Sequence, residues 1–127
     1  MRSTLVGILA CLALLIAPLP ASASHGPYYG QQARTVAQHL GCTNFSSSGS
    51  GMYNSAGGVC WLKGRRVNVI LFAGLAKQQQ WIGAARLAFG PRFHWASGRG
   101  AIVVAKYGSL DAARVGARAL PGVVMQG

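Results

Sequence analysis

The chain has 127 residues, 51% of them apolar, and sets 12 lysines and arginines against a single acid, for a formal charge of +11. With Asp111 as the lone carboxylate side chain, a hydrolase built on paired carboxylates is excluded, and so is an all-carboxylate metal site. The length suits one domain around one modest core.

The N-terminus reads as an export signal. Arg2 is followed by an apolar run over residues 5–17, Pro18 and Pro20 break it, and Ala21-Ser22-Ala23 fits the small-x-small cleavage rule. The run is shorter than the roughly 20 residues a membrane span needs. The alternative, a lipid anchor on Cys11, places cleavage inside the apolar run, because six apolar residues follow it. Cleavage after Ala23 leaves 104 residues at a formal +10, with two of the three cysteines, Cys42 and Cys60. An even count in an exported domain reads as a disulfide, the alternative being two free buried thiols.

Residues 24–30 show no periodicity and read as a flexible arm ahead of a single domain over 31–127. Ala33, Val36, Ala37 and Leu40 then recur at helical spacing, and Gly41 stands where a left-handed cap belongs. Phe45 starts an extended piece, residues 46–51 form a Ser/Gly loop, Met52-Tyr53 is a brief strand, and residues 54–58 turn into a hairpin. That hairpin joins Val59-Cys60-Trp61-Leu62 to residues 67–72 through Lys63-Gly64-Arg65, with Gly64 free to take positive φ. Because Val67, Val69, Leu71 and also Ile70, Phe72 are apolar, the second strand reads as interior.

Residues 75–89 read as a helix with Leu75, Ile82, Ala85 and Phe89 on one face, ended by Gly90-Pro91. Phe93-His94-Trp95 and residues 101–105 are strands joined through Ser97-Gly98-Arg99-Gly100. In the last helix Ser109 is the N-cap, Asp111 complements the positive end, Leu110, Ala113, Ala117 and Leu120 point inward, and Pro121-Gly122 stops it. The expected fold is α+β: a small, mostly antiparallel sheet with about three helices on one face and one disulfide. Residues 67–105 suggest a crossover from the central strand through the second helix into 101–105.

Leu40-Gly41-Cys42, Cys60-Trp61-Leu62-Lys63-Gly64, Val67-Asn68-Val69-Ile70-Leu71-Phe72 and Trp81 together resemble a group of small exported proteins of high-GC Gram-positive bacteria. In that group a cysteine after the first helix pairs with one in a strand. The resemblance implies export and the Cys42–Cys60 bond, and it implies no activity.

Chemistry-bearing residues are few. His39 and His94 with a lysine would be the minimal kit of a small nuclease. His39, however, sits near a helix C-terminus, where an imidazolium has a structural role, and no motif joins the two. His25, His39 and His94 lack metal-ligand spacing, so no metal or cofactor is expected. There is no CxxC and no phosphate loop. What remains is charge: Lys63, Arg65 and Arg66 at one hairpin tip, Arg92 and Arg99 flanking another, Arg114 and Arg118 along a helix, with Tyr53, Trp61, Trp95 and Tyr107 near in sequence. The leading expectation is a secreted, non-enzymatic module binding an anionic polymer, nucleic acid or an acidic membrane surface, with Lys63, Arg65, Arg66, Arg99, Arg114 and Arg118 as anion-binding candidates. The alternatives are an interaction factor or inhibitor of another secreted protein, with the charge serving solubility, or the small His-dependent nuclease.

Overall fold

A computed structural model describes residues 27–127; the expected leader, Cys11 and His25 lie outside the described residues. The elements are α1 (Ala33–Leu40), β1 (Thr43–Ser47), β2 (Ala56–Leu62), β3 (Arg65–Leu71), α2 (Leu75–Ala88), β4 (His94–Gly98), β5 (Ala101–Val104), α3 (Leu110–Ala119) and β6 (Val123–Gln126). The six strands form one antiparallel sheet in the order β1-β2-β3-β5-β4-β6. Among the described residues, three helices, this sheet and a Cys42–Cys60 disulfide make the fold α+β.

Two tight hairpins organise the sheet. Lys63-Gly64 joins β2 to β3, and Arg99-Gly100 joins β4 to β5; in each pair both residues have positive φ (48° and 78°, 51° and 78°). That is the backbone a two-residue type I′ turn demands, and its twist matches the strands it connects. The first tip is therefore shorter than the expected three residues, and Arg65 already belongs to β3, opposite Leu62. At the end of α1, Gly41 takes the left-handed cap (φ 78°), and Ser109 Oγ accepts from the Ala112 N–H at the start of α3.

The helices do not share a face. One core gathers Val36, Ala37, Val67, Val69, Val103 and Leu120, under α1 and α3. The other gathers Phe72, Ala85, Trp95, Ile102 and Val104, with Trp81 and Ile82 of α2 packed on it. The expectation of all helices on one face is corrected by topology. β3 crosses through α2 to β4, skipping β5; β5 crosses through α3 to β6, skipping β4. Both steps go the same way across the sheet, yet β3 and β5 run antiparallel. Two such crossovers keep one hand only when their helices lie on opposite faces. The crossover expected to enter residues 101–105 accordingly enters β4, and β5 pairs antiparallel between the two parallel strands.

Smaller differences follow from the same packing. Within α2, Ala85 is buried and Ile82 packs on the second core as the expected stripe requires, and buried Gln78 lies on the same face. Leu75, however, is 57% exposed, so the sheet covers the middle of the stripe and not its start. In α3 the buried residues include Ala112, Val115 and Gly116, and Leu110 is exposed. The expected turn over residues 54–58 is shortened by strand at Ala56-Gly57-Gly58, Met52-Tyr53 is not a strand, and β6 is an additional one. Residues 27–30 are not a loose arm. Tyr28 is buried, its N–H donates to the Arg99 carbonyl at 2.6 Å, and the Gly30 N–H donates to the Phe72 carbonyl at 2.9 Å. Tyr29 Oη donates to Gln78 Oε1 at 2.6 Å, and Gln78 Nε2 reaches Ser97 Oγ at 3.2 Å. This chain of side chains ties the entering segment to α2 and the sheet, and it satisfies the buried amide of Gln78.

Gly58 shows how closely β1 lies on β2. A Cβ there would sit 2.2 Å from Phe45 Cε2 and 2.8 Å from the Ser46 carbonyl oxygen. The backbone contact cannot be relieved by a side-chain turn, so Gly58→Ala is expected to cost about 1–3 kcal/mol as overpacking. A urea midpoint equal to the parent's contradicts this.

Candidate functional site

Alternation along β3 decides what the basic tip can do. Adjacent strand residues point to opposite faces, so Arg65 and Arg66 part company. Arg65 faces α3, where its guanidinium forms an ion pair with Asp111 and its Nη1 donates to the Lys63 carbonyl at 2.8 Å. Both partners are substantially exposed (38% and 66%), so the pair contributes at most about 1 kcal/mol. Its larger consequence is electrostatic: the chain's one acidic side chain is committed on the α1/α3 face.

Arg66 faces the other way, onto the part of the sheet that α2 leaves open. Register places Thr43 opposite Trp61 and Trp61 opposite Arg66. The β3–β5 register pairs Asn68 with Val104, and two residues further it brings Arg66 level with Lys106, just past the end of β5. A cross-strand row thus runs Thr43, Trp61, Arg66, Lys106, about 14 Å long at the usual strand spacing. The neighbouring row is Ser46, Val59, Asn68, Val104. Val59, Arg66, Asn68 and Lys106 line one pocket of about 410 Å³. Two cations side by side across a sheet repel one another, and no carboxylate side chain is there to offset them. An anion would. Trp61, 45% exposed, adds an indole beside Arg66 on the row.

The other candidates are scattered. Arg99 is held over the Tyr28 ring at 4.3 Å and donates to Tyr28 Oη at 2.9 Å. Its tip lies at the far end of β3 from Lys63, about 20 Å away by strand rise. Arg114 and Arg118 line the outer side of α3, on the α1/α3 face, and Lys63 is exposed at its tip. Among the six candidates only Arg66 reaches the open sheet face, with Lys63 at its rim. Lys106, its partner in the pocket, is outside the six, because the pairing depends on strand register rather than on sequence proximity. Among the aromatic residues, Trp61 is on the row, while Trp95 is fully buried against Trp81 with ring centroids 5.6 Å apart.

His39 and His94 are not brought together. His39 lies near the Tyr28 ring, at 6.2 Å, and Tyr28 is held at the Arg99 tip. His94 begins β4 at the opposite end, with Nδ1 3.0 Å from the Arg92 carbonyl. Among the described residues no three His, Cys, Asp or Glu side chains gather as a metal site, and no helix is long and apolar enough to cross a membrane. No protein-family model, curated protein or solved structure matches this chain.

Proposed function

We propose that the protein is a secreted, non-enzymatic binding module for anionic polymers, and that Arg66 and Lys106 on the open sheet face are its anion seat. The observation that carries this reading is the shared pocket: two cations converge with an asparagine whose amide makes no hydrogen bond among the described residues, while the lone acidic side chain is spent on Arg65. Export is supported by the apolar N-terminal run and by the disulfide, a bond that persists in oxidising compartments. The surrounding positive field raises the local concentration of polyanions and speeds their capture.

Heparin resin tests it. The parent protein is expected to bind and to elute with added salt, because the contacts are exposed charges. Arg66→Gln combined with Lys106→Gln should elute at clearly lower salt, and Arg114→Gln combined with Arg118→Gln, which removes the same charge elsewhere, should shift far less. Equal shifts for the two pairs would reduce the effect to net charge and remove the site. Retention that ignores salt would remove the polyanion reading altogether.

A further inference from the structure

The cationic pocket opens into an aromatic one. Asn68 and Lys106 line both the 410 Å³ pocket and an adjoining groove of about 350 Å³, whose walls include Ile70, Trp81, Phe89 and Phe93. Phe89 is 36% exposed and stacks face to face on Phe93, centroids 3.9 Å apart at 15°, so the pair presents ring surface to the groove that both line. At the junction, Asn68 is half-buried and its amide makes no hydrogen bond among the described residues. A donor and an acceptor are therefore unspent beside a flat apolar wall.

We infer that the occupant is single-stranded nucleic acid, with a backbone phosphate at Arg66 and Lys106 and the neighbouring base against Phe89 and Phe93, its edge within reach of Asn68. The inference rests on the polyanion reading above and narrows it. A sulfated glycan or a polyphosphate matches the cations and leaves the aromatic half of the groove idle. A duplex offers phosphates with its base faces hidden. An acyl chain matches the rings and leaves the Asn68 amide unmet. An unpaired strand presents anions and π-faces with polar edges in alternation, the combination that open basic grooves with aromatic platforms hold.

The test is fluorescence anisotropy at one moderate salt concentration with short labelled oligo(dT), a blunt duplex of the same length, inorganic polyphosphate of equal charge, and vesicles of phosphatidylglycerol and phosphatidylcholine as competitor. Oligo(dT) is expected to bind at least about tenfold more tightly than duplex or polyphosphate, the scale of one base stacked on an aromatic ring. Bare electrostatics gives the reverse order for the duplex, whose charge density is higher. Phe89→Ala should abolish the preference and leave polyphosphate affinity unchanged. If that variant misfolds, tryptophan emission of the parent decides: quenching by oligo(dT) and none by polyphosphate is expected, and any other pattern overturns the inference. Polyphosphate or duplex binding as tightly as oligo(dT) overturns it while leaving the polyanion reading standing, and stronger capture by the vesicles overturns it in favour of a membrane surface. Failure of every polyanion to bind removes the broader reading as well.

Discussion

Trp95→Ala is expected to cost about 3–5 kcal/mol and to leave the domain close to its unfolding threshold at room temperature. Trp95 is fully buried and is the largest such side chain among the described residues. It stands on β4 at the centre of the second core, edge-on to Trp81 of α2 at 83° between ring planes. Only Gln78 and Ala85 of α2 are themselves buried, so this helix depends on what lies beneath it more than on its own apolar stripe. Removing the indole takes away its main support. Trp95 Nε1 is also the one buried side-chain polar atom without a hydrogen-bond partner among the described residues. Trp95→Phe discards that unmet donor and keeps much of the ring, so its loss should be less than half that of alanine. Urea unfolding followed by far-UV circular dichroism compares the three proteins; an alanine variant within about 1 kcal/mol of the parent would show that α2 is held some other way.

Loss of the disulfide has the second large effect. Cys42 and Cys60 are 18 residues apart in sequence, with Cα atoms at 5.7 Å, and both are buried in the first core. Closing a loop of that size stabilises by about 3 kcal/mol in the chain-entropy model. For a domain of this length that corresponds to a fall in Tm of roughly 15 °C when Cys42→Ala and Cys60→Ala are combined. The bond also anchors β2 just where Trp61, the next residue, turns to the open face. Melting curves of the double variant and of the parent with and without reductant measure the effect. A shift of only a degree or two would mean that packing alone holds β1 and α1 in place.

Much of this architecture is legible locally. Gly41 as a left-handed cap, Ser109 as an N-cap, and glycine as the second residue of both hairpin turns are each demanded by backbone conformations within a few residues. The two-sided apolar character of residues 67–72 also signals an interior strand, and such a strand needs cover on both faces. Taken to its end, that signal places a helix on each side, as the structure does with α2. Leu75 and Phe89 mislead, because helical spacing identifies a stripe and cannot say whether the sheet reaches its ends. β6 escapes notice because Val123-Val124-Met125-Gln126 is short, lies just after the helix stop, and gains its partners from β4.

The site is less legible than the fold, for a physical reason. Lys63, Arg65 and Arg66 look like one patch in the sequence, yet the strand's alternation sends Arg65 to Asp111 and Arg66 to the opposite face. That separation can be read from the chain itself once β3 is known to begin at Arg65. The meeting of Arg66 with Lys106, 40 positions on, cannot, because it depends on the antiparallel register of β3 and β5 and on the point where β5 ends. Charge composition raises the expectation of an anionic partner only in general terms; register decides which cations share a pocket.

The most direct measurement is the salt dependence of polyphosphate affinity in three proteins: the parent, Arg66→Gln with Lys106→Gln, and Arg114→Gln with Arg118→Gln. Each contact cation releases about one counterion, so the slope of log affinity against log salt should fall in magnitude by roughly two in the first pair and stay at the parental value in the second. Equal slopes in all three proteins would contradict an anion seat on the open face of the sheet.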